Sequence, residues 1–188
     1  MFDHFDFLAP IYDRAIPFSR LELMLKMTAL PADSLLLDAG GGTGRVAAAL
    51  RPYVRAALVA DFSPGMLTQA VRKGLPAVQS PAECLPFAAG TFERIIMVDA
   101  LHHVHHQAET IAELWRVLSP GGRLVIEEPD VRTLTVKLVA LGEKLALMRS
   151  HFLSPPQIAA LFPPEAQVKI ETEGYNAWVI VEKDFRGK

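Results

Sequence analysis

The run Asp38-Ala39-Gly40-Gly41-Gly42-Thr43-Gly44 sets an acid just ahead of four glycines within five positions. Glycines at that density let backbone N–H groups approach a ligand closely, and a helix that starts where the turn ends adds the positive end of its dipole. Asp38, at the end of an apolar run, offers a carboxylate to a cationic ligand group. Gly40, Gly42 and Gly44 read G-x-G-x-G. The dinucleotide fingerprint G-x-G-x-x-G requires glycine at position 45, where Arg45 stands, and no G-K-[ST] follows to make a phosphate-binding P-loop. Asp61 comes about twenty residues after the first of these glycines, the interval at which an acid meets ribose hydroxyls in nucleotide-binding folds. Further on, Asp99-Ala100-Leu101-His102-His103 combines a carboxylate with two imidazoles, groups that titrate near neutral pH. His102 or His103 can serve as a base, as a substrate contact or as a structural residue. On a helix, His102 and His106 would share a face suited to a metal. No carboxylate or cysteine lies at metal-site spacing beside them, so no metal is expected.

These residues need elements to hold them, and the hydrophobic pattern supplies strands alternating with helices. Strand one is predicted over 34–39, with its helix over 44–51; strand two covers 56–61. Ser63 caps the next helix, with Pro64 at its first position, where a missing N–H does no harm. Strand three is predicted over 77–80, strand four over 92–98, a helix over 108–118, a Pro120-Gly121-Gly122 turn, and strand five over 124–126. A long helix over 131–149 and a short one from Ser154-Pro155 to Pro163-Pro164 follow. Segments 168–173 and 177–182, separated by so short a turn, must be antiparallel. The expected fold is α/β: a single-domain Rossmann-like sheet of seven strands, mostly parallel with a final antiparallel hairpin and helices on both faces. Ahead of it, residues 2–18 carry Phe2, Phe5, Phe7, Tyr12 and Phe18, followed by a helix over 19–29. This stretch is either a flap packed on the core or a lid over a ligand. The division expected is one domain over 1–188, with a helical lid segment at 1–30, a ligand-binding core at 34–130, and helices and hairpin at 131–188.

In open parallel sheets ligands sit beyond the carboxyl ends of the strands, and the residues found there carry a family resemblance. Asp38 to Gly44 resembles the first motif, acid-x-G-x-G-x-G, of the class I S-adenosylmethionine-dependent methyltransferases. Asp61-Phe62-Ser63-Pro64-Gly65-Met66 resembles the second, in which a residue after the acid packs on adenine; Phe62 or Met66 fills that place. Ala82-Glu83-Cys84-Leu85-Pro86-Phe87 is similar to the loop after strand three, but Pro81 stands where the family usually has an adenine-binding Asp, leaving backbone groups or Glu83 to replace it. Asp99-Ala100-Leu101-His102-His103-Val104 resembles the segment facing the sulfonium and the substrate. Val117 to Leu124 resembles the turn into strand five, and Tyr12-Asp13 a pair found in N-terminal segments that cover the cofactor. The resemblance spans most of residues 12–128 and is closest to the branch of small-molecule enzymes that includes quinone C-methyltransferases. That branch continues past Tyr-Asp with Asn, Ser-x-Gly and Trp, which this chain lacks, so no quinone is assigned. The resemblance implies S-adenosylmethionine as cofactor, held by Tyr12, Asp38, Gly40, Gly42, Thr43, Gly44, Asp61, Phe62, Met66, Ala82, Glu83, Asp99 and Ala100, with His102 and His103 as catalytic candidates. It implies methyl transfer to a small, partly apolar acceptor.

Composition narrows the partners. The 188 residues carry a net charge of −2 with no basic block, which disfavours nucleic acid. One cysteine, Cys84, rules out an internal disulfide framework and agrees with a reducing, cytoplasmic setting. The N-terminus does not read as a signal peptide, and charges interrupt every long apolar run, so no membrane span is expected. The residues leave the acceptor atom and the oligomeric state open. Two rival readings remain: an NAD-dependent oxidoreductase, against which Arg45 and the placement of Asp38 count, and a non-catalytic S-adenosylmethionine-binding subunit.

Overall fold

The computed structural model describes residues 9–133 and 151–185. The long helix expected over 131–149 falls mostly outside these residues, as do Phe2, Phe5 and Phe7. The chain opens with the short helix α1 (Tyr12–Ala15) and helix α2 (Leu21–Thr28), which stops at Ala29 in a left-handed conformation. Strand β1 (Leu35–Ala39) leads through the glycine turn into α3 (Arg45–Leu50). Strand β2 (Ala56–Asp61), helix α4 (Pro64–Arg72) and strand β3 (Ala77–Gln79) come next. Strand β4 (Phe92–Val98) is followed by a 3-10 turn over Leu101–His103 and helix α5 (Gln107–Val117). The chain then runs through β5 (Leu118–Pro129), α6 (Pro155–Ala159), β6 (Gln167–Glu173) and β7 (Asn176–Glu182).

The seven strands form one sheet in the order β3-β2-β1-β4-β5-β7-β6. The first five are parallel neighbours, β7 inserts antiparallel beside β5, and β6 pairs antiparallel with β7 at the edge. This is the expected architecture. Successive residues explain why both faces are covered. In β1 Leu36 joins a core with Met24, Leu50, Val59, Val125 and Trp178, while Leu37 joins the opposite core with Ile95, Ile111, Leu114, Leu124 and Phe162. A strand buried on both sides needs consecutive apolar residues, which is the pattern the leucine run supplies. The sequence order reverses between β1 and β4, and there the connections leave toward opposite faces and open a crevice at the strand ends.

Boundaries differ from the expectation at β5 and at α6. β5 begins at Leu118, so the Pro120-Gly121-Gly122 turn lies inside it. The register slips between Phe92 and Arg94, and the bulged backbone is satisfied by Lys183, whose carbonyl accepts from Gly121 and whose N–H donates to Gly122. Helix α6 ends at Ala159, before Pro163. Ser63 does cap α4, its Oγ accepting from the Met66 N–H at 3.1 Å.

Candidate functional site

The glycine turn is held from three sides. Gly40 and Gly41 donate to the Ala60 carbonyl of β2 at 2.7 and 3.3 Å, and Gly42 donates to Asp61 Oδ2 at 2.8 Å. Asp61 Oδ1 accepts from Ser63 N at 2.8 Å. Asp61 thus ties the turn after β1 to the turn after β2. Gly44 begins α3 at φ +70°, and a Cβ there would stand 2.6 Å from Leu75 Cδ1, so both conformation and space demand glycine. At Gly40 a Cβ would meet the Ala100 methyl at 2.8 Å, which shows how closely the turn after β4 closes on the turn after β1.

Asp38 differs from its expected role as an open strand end. The strand continues to Ala39, and Asp38 is 1% exposed, with its carboxylate beneath Gly41 and Oδ2 accepting from Ala47 N at 3.2 Å. The other oxygen, Oδ1, is buried with no hydrogen-bond partner. Burial pushes the Asp38 carboxyl up to about 7, against the Ala47 N–H and the Arg45 charge, which favour ionisation. A buried acceptor with an unmet lone pair under the glycine turn is a fitting place for a cationic ligand group.

On the rim, Phe62 presents a ring that is 65% exposed, whereas Met66 is 2% exposed and lies under Gly42. Of the two adenine candidates only Phe62 has surface to offer. Ser80 N donates to the Asp61 carbonyl at 3.0 Å, which brings the start of the Pro81-Ala82-Glu83 loop to the same rim; Ala82 and Glu83 are half-buried there.

The N-terminal segment docks on the turn. Asp13 Oδ1 accepts from the Thr43 hydroxyl at 2.5 Å, Lys73 Nζ sits 2.7 Å from Asp13 Oδ2, and Lys73 also donates to the Thr43 carbonyl at 2.7 Å. Burial works against ionisation of Asp13, yet the hydrogen bonds from Lys73 and Thr43 hold its carboxyl below the ordinary range. The Thr43 side chain is therefore spent on Asp13. Arg45 spans the crevice: its guanidinium lies 5.9 Å from the Tyr12 ring centre and 3.4 Å from Asp99 Oδ2. Burial raises the Tyr12 phenol above its usual range. Asp13, Lys73 and Arg45 have no place among the sequence-based site residues. The Tyr12-Asp13 pair hinted at the first, and the missing glycine at 45 at the last.

Asp99 takes a left-handed backbone, φ +51°, with its N–H donating to the Glu127 carbonyl at 2.9 Å. The 3-10 turn that follows rests on Glu128. Its Oε1 accepts from Ala100 N at 3.0 Å and Leu101 N at 2.7 Å, and its Oε2 lies 2.5 Å from His102 Nδ1. His102 is 5% exposed, stacked on Phe152 at 4.4 Å between ring centres and 3.9 Å from the His103 ring. Burial, then the neighbouring His102, lowers His103 to about 3. His103 is thus neutral across the physiological range rather than a near-neutral base. The helix that would align His102 with His106 does not form, since His106 lies beyond the 3-10 turn. Among the described residues no three ligands gather for a metal.

An open, mostly parallel α/β sheet with a glycine turn at its switch point defines a nucleotide-type cofactor-binding protein. Comparison with known proteins narrows this. The Methyltransferase domain family matches residues 37–126. A demethylmenaquinone methyltransferase of Chlamydia trachomatis is 36% identical over 155 residues, covering 76% of this chain and 67% of that protein. One from Mycolicibacterium vanbaalenii is 35% identical over 148 residues, covering 79% of this chain and 62% of that protein. An S-adenosylmethionine-dependent methyltransferase structure from Thermotoga maritima superposes with a TM-score of 0.79 at 20% identity, covering 96% of this chain and 98% of its own, a likeness of fold. The chain belongs to the class I S-adenosylmethionine-dependent methyltransferase family. It spans about three-fifths of the length of several curated relatives it matches. Among the described residues no helix is long and apolar enough to cross a membrane.

Proposed function

We propose that the chain transfers a methyl group from S-adenosylmethionine to a small, partly apolar acceptor. The observation that carries this is the pairing of the Asp61-clamped glycine turn with the unmet buried Oδ1 of Asp38, one suited to a ribose and turn contact, the other to an ammonium group. Asp38, the amides of Gly40 to Gly44, Asp61, Phe62, Ala82, Glu83, Asp99 and Ala100 would hold the cofactor, with Met66 supporting the turn from below. When bound, the cofactor supplies an already activated sulfonium methyl, so aligning the acceptor does much of the work. Tyr12 and Asp13 carry the N-terminal segment over this crevice as a lid on a single domain. Of the two histidines, His102 is the candidate base, since His103 at about 3 is a poor proton acceptor at neutral pH. The curated relatives are demethylmenaquinone methyltransferases by name, which puts quinols first among acceptors to try. A cytoplasmic site of action is in keeping with the exposed free thiol of Cys84, and the net charge of −2 with a small acceptor rather than a nucleic acid.

Calorimetry tests the cofactor, and a methyl-transfer assay over a panel of acceptors that includes quinols tests the reaction. Binding of S-adenosylhomocysteine with little binding of NAD is expected. Tight NAD binding with neither sulfur compound bound would overturn the proposal. Cofactor binding without transfer to any acceptor would favour a binding subunit.

A further inference from the structure

The N-terminal segment is fastened to the sheet at both ends, and the two fastenings differ in kind. At the α1 end, Lys73 Nζ sits 2.7 Å from Asp13 Oδ2 and donates to the Thr43 carbonyl at 2.7 Å, while the Thr43 hydroxyl donates to Asp13 Oδ1. One amine thus grips both the segment and the glycine turn. The Asp13 and Lys73 side chains are 40% and 28% exposed. An ion pair so open to water is weak and is screened by salt. At the α2 end, Arg20 pairs with Glu127, whose side chain is fully buried. Asn176 Nδ2 donates to the same Glu127 oxygen at 2.8 Å, and the Arg20 guanidinium lies 5.4 Å from the ring centre of the buried Trp178. Removing one partner from such a pair leaves a desolvated polar group behind, so this contact resists opening far more than the first. Helix α2 follows directly and puts Met24, Leu25 and Met27 into the core. Residues 16–20, between the two ends, form no helix or strand.

We propose that the segment is a lid that opens at one end only: Arg20 on Glu127 is its fixed pivot, residues 16–20 are the hinge, and the Lys73–Asp13 ion pair is the latch whose breaking lets cofactor on and off the glycine turn. The inference rests on the methyl-transfer reading for the identity of that cofactor, and it names Lys73, a residue outside the cofactor contacts, as the one that sets how long the cofactor stays. Tyr12 shows what the lid covers. Its ring centre lies 5.9 Å from the Arg45 guanidinium at the start of α3, and the charges of Arg45, Asp99 and Asp61 all act on its phenol. Lifting α1 withdraws Tyr12 from that crevice and releases the Thr43 hydroxyl and carbonyl. The core packing of α2 keeps the far end in place.

Two measurements on the full chain test the latch and the pivot. The first, hydrogen exchange of the unliganded protein, needs no cofactor. Lys73→Met should speed exchange of the amides of residues 12–16 by about fivefold, the equivalent of losing a partly exposed ion pair, and leave those of 21–28 unchanged. Arg20→Gln should speed both stretches and lower the melting temperature more than Lys73→Met does. Arg20→Lys, which keeps a cation on Glu127, should recover most of that stability. Faster exchange confined to 12–16 in both Lys73→Met and Arg20→Gln would make Arg20 a second latch, and unaltered exchange of 12–16 in Lys73→Met would leave no latch. Either result overturns the proposal whether or not the protein transfers methyl groups. The second measurement is the release of S-adenosylhomocysteine, followed by surface plasmon resonance. Lys73→Met should release it about fivefold faster than the parent at about 0.05 M NaCl, and raising the salt to about 0.5 M should bring the parent toward the variant. Equal release rates at low salt, or a parent insensitive to salt, would overturn the latch. Absence of S-adenosylhomocysteine binding would overturn the cofactor reading instead, and the exchange result then decides the lid alone.

Discussion

Replacing Asp61 by Ala tests the site at its tightest joint. The carboxylate accepts from Gly42 N and from Ser63 N, both at 2.8 Å. Hydrogen bonds to a charged group are worth about 1.5–3 kcal/mol each when intact; Gly42 is half-buried, so water recovers part of the loss there, whereas Ser63 is buried. A net destabilisation of about 1–3 kcal/mol follows for the unliganded protein. For a domain of this size, each kcal/mol moves the melting temperature by about 2–4 °C, giving a fall of roughly 2–12 °C. A purely ligand-facing residue would leave the melting point almost unchanged on its loss. The clamp reverses that expectation. Binding of S-adenosylhomocysteine should weaken at least tenfold, a loss of about 1.4 kcal/mol or more, because the ribose acceptor and the shape of the turn go together. Asp61→Asn is not an intermediate case. One of its two ends is an NH₂ that must oppose either the Gly42 or the Ser63 N–H, so it should be about as unstable as the Ala variant. Thermal unfolding by circular dichroism and titration calorimetry read the two effects separately. A melting temperature within 1 °C of the parent by the ~2 °C scale above would refute the clamp. An unchanged affinity would refute the ribose assignment while leaving the clamp standing.

Asp38, with its carboxyl at about 7, binds a proton in the folded state that the unfolded chain has released above its ordinary value near 3.8, so its contribution to stability falls as pH rises between those two values. Urea unfolding of Asp38→Asn at pH 5 and pH 8 should show a smaller loss across that interval than the parent; an equal loss would mean the carboxyl is ionised throughout. His103 acts in the opposite direction: held neutral down to about 3 when folded and protonated near 6.5 when unfolded, it makes stability fall as pH drops below about 6.5. His103→Gln should flatten the acid side of the stability profile, and an unchanged profile would contradict the burial of that ring. At the latch, Lys73→Met should leave the fold intact, at a cost of about 1 kcal/mol, the upper end for a partly exposed ion pair, yet speed cleavage of residues 9–18 in limited proteolysis; a cleavage rate equal to the parent's would show that the segment is held by packing instead.

The elements that hold the site are legible in the residues because their rules are local. Three leucines in a row admit a strand buried on both faces, and Ser63 before Pro64 favours a helix start. The glycines at 40, 42 and 44 all sit at positive φ, where other residues are strained. Asp61 and Phe62 are found at the strand end where spacing put them. What could not be read is whom each polar group would face. Asp38 lies under Gly41 rather than toward open solvent because α3 turns back across the strand end. The Asp13–Thr43–Lys73 latch joins positions thirty apart twice over, and only the docking of α1 against the turns after β1 and α4 brings them together. Helical periodicity aligned His102 with His106, but Glu128 captures the Ala100 and Leu101 amides and diverts the chain into a 3-10 turn, giving His102 a partner on the neighbouring strand. Local patterns reach about one helical turn along the chain. Which strand lies beside which, and in what register, is decided by burial of the whole sheet. That order, β1 next to β4 and β4 next to β5, brings scattered carboxylates and imidazoles into one candidate site.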